Sequence, residues 1–315
     1  MQWFAQAPSN IALIKYMGKI DIENNIPINP SLSYTLNHLL SSVMIEQQSG
    51  KKDFWESLET PGAKPFILSN DAQQRFLNHL SRLKKLFNYS GAFIVRSSNN
   101  FPLSSGLASS ASSFAALTKC AILALCELTQ SPLPPIETQA QLSRLGSGSS
   151  CRSFFSPWAL WDGITVKAPE LTYKELLHQV IVVSHTEKKV LSSEAHQRIR
   201  TSKFYSARSE RAEQNLKVLL NAFEAQDWKS AFHVCWREFQ DLHSLFSTCS
   251  TPFSYITDQS KAVLVSLQEL WQRENDGPLV TMDAGPNIHV LYRPDQTEMA
   301  DKFKRDYLVG NYDVI

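Results

Sequence analysis

Residues 101–112, Phe-Pro-Leu-Ser-Ser-Gly-Leu-Ala-Ser-Ser-Ala-Ser, run without a break into an apolar segment in which Phe114, Leu117, Ala121, Leu125 and Leu128 recur at helical spacing. This period predicts a core helix whose first turn lies inside a Gly/Ser loop. The first N–H groups of a helix have no intrahelical acceptor, and the dipole is positive there. Small side chains around such an end make an anion site suited to phosphate, with Gly106 allowing close approach and Ser109 or Ser110 adding a hydroxyl for a phosphate or its metal ion. A serine cap on an ordinary core helix would look the same in this stretch alone.

The rest of the chain limits the alternatives. With 315 residues, two domains are possible, and 43% hydrophobic against 19% charged residues excludes a disordered chain. A net charge of +1 gives no electrostatic case for nucleic acid or an anionic membrane. The longest apolar run, 114–128, is interrupted by Lys119 and reads as too short for a membrane span. The start, Met-Gln-Trp-Phe-Ala-Gln-Ala-Pro, lacks the order of a signal peptide. Cys120, Cys126, Cys151, Cys235 and Cys249 are scattered with no CxxC pair, which argues against a disulfide frame or zinc site and for a cytoplasmic setting. His233 and His243 are expected on helix surfaces. Glycine is scarce, yet Gly18, Gly106, Gly146, Gly148 and Gly285 gather in four short polar segments, which points to close ligand approach.

Strands are expected at 2–6 and 10–14, joined through Pro8, then within 27–46, read as loop followed by an alternating strand, and at 91–96. Helices are expected at 72–87, 114–128 and 136–145, with 50–65 polar and turn-rich. A second unit begins at a strand over 179–184, followed by helices near 192–225, 228–247 and 258–274. Strands at 278–282 and 289–292 flank a turn, and a helix near 297–308 closes the chain. The order predicts an α+β protein in two halves.

Four segments carry chemistry. In Ala7–Asp21, Lys15 and Lys19 lie four apart around Tyr16, so two cations and a phenol can converge on a diphosphate or carboxylate; snorkelling lysines at a strand end are the plain alternative. The second is the Gly/Ser loop with its preface Ser97-Ser-Asn-Asn. Gly146-Ser-Gly-Ser-Ser-Cys-Arg152 offers backbone donors, hydroxyls and a guanidinium fork for an oxyanion. Thr281-Met-Asp-Ala-Gly-Pro-Asn287 is a strand turning sharply at a carboxylate, where Asp283 can cap the turn or accept a substrate proton. There is no P-loop motif and no protein-kinase motif set.

Together these segments resemble the GHMP superfamily of small-molecule kinases, and within it the mevalonate diphosphate decarboxylase family. The resemblance rests on Ala-Pro-Ser-Asn-Ile-Ala-Leu-Ile-Lys-Tyr (7–16), Asn-Asn-Phe-Pro followed by Gly-Leu-Ala-Ser-Ser-Ala (99–111), Gly-Ser-Gly-Ser-Ser-Cys-Arg-Ser (146–153) and Met-Asp-Ala-Gly-Pro-Asn (282–287). It implies an N-terminal α/β domain over 1–177, a ferredoxin-like C-terminal domain over 178–315, and an active cleft between them. It also implies ATP-dependent decarboxylation of mevalonate 5-diphosphate with Mg2+, in a homodimer. On this resemblance Asp283 and Lys15 are catalytic, and Tyr16, Lys19, Ser147, Ser149, Arg152, Ser192 and Ser193 hold the substrate. Ser97, Asn99, Ser104, Ser105, Gly106, Ala108, Ser109 and Ser110 hold the nucleotide, with Ser110 on the metal ion. The sequence departs from the family at Met17 (often Trp), Ile20 (often Arg), Leu-Ser-Ser 103–105 and Leu-Ser-Ser-Glu-Ala-His 191–196. A GHMP enzyme that stops at phosphorylation, one acting on a monophosphate, and a non-catalytic nucleotide-binding regulator stay open at this point.

Overall fold

A computed structural model describes residues 1–59, 67–101, 109–184 and 189–315. The chain opens with β1 (Gln2–Ile14), one strand where the sequence suggested two. Pro8 has no N–H to give a ladder, and the register slips between Pro8 and Ser9, so a bulge absorbs the proline without ending the strand. A small hairpin, β2 (Lys19–Asp21) and β3 (Ile26–Pro27), leads into β4 (Ser31–Gln48). Along one edge β4 pairs with β1. Along the other it pairs with β6 (Ala92–Asn99) at 41–48 and with β7 (Trp158–Asp162) at 31–34. Two outer strands complete a six-stranded sheet: β5 (Phe54–Ser57), parallel to β6, and β8 (Thr165–Lys167), antiparallel to β7.

Three helices cover this sheet: α1 (Asn70–Leu86), α2 (Ser109–Thr129) and α3 (Ile136–Arg144). Alanines dominate the buried side of α2, so Ala115, Ala116, Ala121 and Ala124 let it lie close to Ala7, Val43 and Ile45 of the sheet. Phe76, Leu80 and Leu83 of α1 join the same core, each contributing about 1.5–3 kcal/mol by leaving water. By length and composition α2 is long and apolar enough to cross a membrane, contrary to the sequence reading, but it is mostly buried here as a core helix. Lys119 keeps its charge at the margin, 4.9 Å over the Phe154 ring.

In the second half, β9 (Leu177–Val182) precedes α4 (Ser192–Arg198), α5 (Arg208–Glu224), α6 (Trp228–Ser247) and α7 (Asp258–Glu274). The hairpin β10 (Leu279–Thr281) and β11 (Ile288–Tyr292), then α8 (Thr297–Phe303) and β12 (Asp313–Val314), complete it. The antiparallel order β10-β11-β9-β12 is the ferredoxin-like arrangement, a strand, helices, a hairpin, a helix and a strand. The expected continuous helix 192–225 is instead two helices with turns between Thr201 and Arg208. The bounds of α7 match the sequence reading. Thr257 and Ser260 form a reciprocal cap at its start, and Asn275 adopts φ +51 at its end.

The two sheets share one core. Ile11, Leu13, Tyr34 and Trp158 of the first half belong to the same apolar cluster as Val180, Met282 and Val290 of the second. Within it the Thr281 hydroxyl donates to the Ala12 carbonyl at 3.3 Å, which seats the end of β10 against the end of β1.

Candidate active site

Lys15 follows the last residue of β1, and Asp283 stands two residues beyond β10, so the contact between these strands brings the two side chains together. Lys15 Nζ donates to Asp283 Oδ1 at 2.6 Å, the facing arrangement expected from the sequence. The lysine side chain is 2% exposed, whereas 26% of the aspartate side chain is open, so the carboxylate is the member that can meet an incoming group. Burial alone would raise the Asp283 carboxyl, but the Lys15 charge, with His289 and Arg152, outweighs it and holds the group below its ordinary range. Burial lowers Lys15, with Asp283 opposing.

The Asp283 turn is fixed from several sides. Its carbonyl accepts from the Gly285 N–H at 2.8 Å and lies 3.2 Å from His243 Nε2 on α6. A carbonyl only accepts, so the His243 proton sits on Nε2. Burial first, then the Lys15 charge, holds this imidazole down at about 4, and it is uncharged at neutral pH. The expectation of a surface position is met by His233, which is exposed, and overturned for His243, which is buried. At the far end of the turn, Asn287 Oδ1 accepts from the N–H groups of Val183 and Ser184 at 2.9 and 3.2 Å.

Arg152 lies in a short 3-10 helix, Gly148–Phe154, and is 4% exposed. Its Nε donates to Asn10 Oδ1 at 3.1 Å and its Nη1 to Ser31 Oγ at 2.8 Å. Asn10 in turn donates to Ser153 Oγ at 2.8 Å. Among the described residues no carboxylate forms an ion pair with Arg152. A buried cation held only by neutral acceptors is poised for an anion. The half-buried Ser147 and Ser149 flank Gly148 in the same loop.

The Tyr16 ring makes two tilted aromatic contacts, its centroid 4.6 Å from that of Trp161 and 4.6 Å from that of His196. Its buried hydroxyl has no hydrogen-bond partner among the described residues. A Cβ on Gly148 would stand 2.5 Å from that oxygen, so glycine here makes room for the phenol. Gly148→Ala is expected to displace the buried Tyr16 ring. It should cost about 1–3 kcal/mol in a denaturation curve and raise the substrate KM; an unchanged KM would show that Tyr16 plays no part in binding.

The remaining predicted residues are spread around this centre. Lys19 does not join Lys15 but donates to Asn25 Oδ1 at 2.6 Å, half-buried and without a carboxylate among the described residues. Ser192 and the exposed Ser193 begin α4, which reaches the site through His196; its Nδ1 accepts from the Gly18 N–H at 2.9 Å. The Ser97 hydroxyl accepts from Trp55 Nε1 at 2.8 Å. Asn99 Oδ1 accepts from Ser41 at 2.7 Å and from Ser113 of α2 at 3.4 Å, while its buried Nδ2 has no partner among the described residues. Ser109 and Ser110 open α2. Ser104, Ser105, Gly106 and Ala108 lie outside the described residues. Sequence reasoning missed Asn10, Ser31, His196 and His243. Asn10 had a signal, a polar pair Ser9-Asn10 placed directly before the apolar run Ile11-Ala-Leu-Ile14.

Comparison with known proteins agrees with this geometry. Residues 7–167 match the diphosphomevalonate decarboxylase-like N-terminal domain, and 179–310 match the mevalonate 5-diphosphate decarboxylase C-terminal domain. The diphosphomevalonate decarboxylase of Gibberella zeae is 32% identical over 93% of this chain and 81% of its own. A crystal structure of a mevalonate diphosphate decarboxylase from Legionella pneumophila is 64% identical, covers 100% of both chains and superposes with a TM-score of 0.95. The protein designated MDDEF, solved in complex with MVAPP, AMPPCP and magnesium, is 26% identical over 100% of this chain and 96% of its own, with a TM-score of 0.88. Two family models that together span most of the sequence, a relative 32% identical over 93% of this chain and a crystal structure that superposes over all of it lead to one assignment: this chain belongs to the mevalonate diphosphate decarboxylase family.

Proposed function

We propose that this site carries out the family's reaction with the residues in specific roles. ATP phosphorylates the 3-hydroxyl of mevalonate 5-diphosphate, after which phosphate and CO2 leave to give isopentenyl diphosphate. The observation that carries this reading is the buried Lys15–Asp283 pair with the Arg152 charge acting on both. Asp283, kept ionised by Lys15, accepts the hydrogen bond and then the proton of the 3-hydroxyl. That proton passes on to the departing phosphate, which restores the carboxylate, and the ionised Asp283 then favours the cation-like charge left on the tertiary centre. Arg152, held by Asn10 and Ser31, binds the substrate carboxylate as a fork. Tyr16, Lys19, Ser147, Ser149, Ser192 and Ser193 bind the diphosphate.

The nucleotide is assigned to the loop before α2, with Ser104, Ser105, Gly106, Ala108, Ser109 and Ser110 around its phosphates and Ser97 and Asn99 near its base. The Asn99 Nδ2, which has no partner among the described residues, fits a polar ligand. Mg2+ keeps much of its shell as water and phosphate oxygen, so one hydroxyl, Ser110, suffices from the protein, and the ion would neutralise phosphate charge. The described residues include no cluster of acidic or histidine side chains that would make a separate metal centre. The reading divides the chain at 177/178, one residue inside β9, the first strand of the second sheet; the two separate sheets support a division close to that point. It includes a reducing, cytoplasmic setting, supported by five free and buried thiols.

Purified protein with ATP and mevalonate 5-diphosphate should release ADP and CO2 in equal amounts. ADP without CO2 would favour an enzyme that stops at phosphorylation, and activity on the monophosphate alone would reassign Lys19 and the 192–193 hydroxyls.

A further inference from the structure

Lys15 stands one residue past the end of β1, where the sheet no longer supplies partners for its main chain, yet both its N–H and C=O are buried. Most of their partners come from the other half of the molecule. The Lys15 N–H donates to Glu238 Oε1 on α6 at 3.0 Å. The Lys15 carbonyl accepts from Arg208 Nη2 on α5 at 3.1 Å and from Asn29 Nδ2 at 3.0 Å. Arg208 and Glu238 are themselves ion-paired, and both side chains are wholly buried. Around them the pair is closed by Asp241, 2.8 Å from Arg208 Nη1, and by Asn215 Nδ2, 2.7 Å from Glu238 Oε2.

A buried ion pair is weak evidence for stability, because desolvation offsets most of its attraction. This one does something an apolar pair cannot: it presents one acceptor and one donor to the main chain of a single residue, gripping the peptide groups on either side of its Cα. We infer that Arg208 and Glu238 are positioning residues for the reaction, gripping the main chain of residue 15 so that its ammonium stays on Asp283. The inference rests on the roles given above to Lys15 and Asp283. It extends the active machinery to two residues that touch no substrate. The charged and titratable groups around Lys15 are Asp283 from the turn after β10, Glu238, Cys235 and His243 from α6, Arg208 from α5 and Arg152 from the 148–154 helix. Burial lowers the Lys15 ammonium, with Asp283 and, more weakly, Glu238 opposing. Removing the Glu238 charge therefore lets Lys15 lose its proton at lower pH.

The test is Glu238→Gln, with Arg208→Lys as the second variant should the first not fold; the latter keeps a charge but cannot span Glu238, Asp241 and the carbonyl together. A displacement near 1 Å costs about 10²-fold, so kcat per nucleotide-binding site should fall by about that factor, with substrate and ATP KM little changed. The alkaline limb of the Glu238→Gln profile should move to lower pH. Residue 15 should also be acylated faster by an amine-reactive reagent, read by mass spectrometry in the absence of substrate. A lower melting temperature with wild-type kcat, pH limb and acylation rate would overturn the inference and leave a structural pair. Absence of turnover in the wild-type protein would instead count against the proposed reaction, with the acylation readout still testing the grip on residue 15.

Discussion

Asp283→Asn should lower turnover by about 10³-fold or more while nucleotide binding persists. The amide is nearly the same shape, and the turn is held through main-chain and Asn287 contacts that the substitution leaves in place. What changes is charge: an amide takes no proton from the substrate hydroxyl and offers no anion to Lys15. The lysine then stands buried beside Arg152 without its neutraliser, so a loss of stability of about 3–5 kcal/mol accompanies the loss of turnover. Binding of a fluorescent ATP analogue separates the two effects, because a folded variant still binds it. Turnover within a few-fold of wild type would remove Asp283 from the chemistry.

Arg152→Ala should act on binding. The guanidinium is buried with two neutral acceptors and carries a charge that no described carboxylate pairs with. Truncating one partner of a desolvated charge contact costs about 2–5 kcal/mol, so the KM for mevalonate 5-diphosphate should rise about 10²-fold with the ATP KM far less affected. The variant also leaves Asn10 Oδ1 and Ser31 Oγ without their donor, so Arg152→Lys serves as the control: it keeps charge and loses the fork. An unaltered substrate KM in both would make Arg152 a structural residue.

Much of this was legible in the chain. Helix α7 shows itself because its cap, apolar period and left-handed end are all local, and the Lys15–Asp283 juxtaposition followed from family order in the motifs. The misses have a common cause, which is that the deciding partner is remote. Pro8 predicts a break, but a long neighbouring strand tolerates a bulge. Residues 54–57 look like polar turn until β6 supplies a parallel partner. Trp158–Asp162 and Thr165–Lys167 carry no strand expectation in the sequence and become strands because β4 pairs with the first and the first with the second. No glycine or proline marks the break after Thr201. Arg208, Glu238 and His243 each look like a helix-surface residue, and only their approach to Lys15 and Asp283 from elsewhere in the fold buries them. Within the site, the motifs single out candidate residues, whereas, Asn10 apart, the side chains that support them carry no mark in the sequence.

The apolar cluster shared by both sheets has an energetic corollary. Neither half can melt alone without stripping hydrocarbon from its neighbour, and the seam runs beneath the reacting centre. The chain is therefore one foldon despite its two sheets, and damage to packing far from the cleft, at Trp158 or Val290 for instance, will be felt as poorer alignment of the reacting groups.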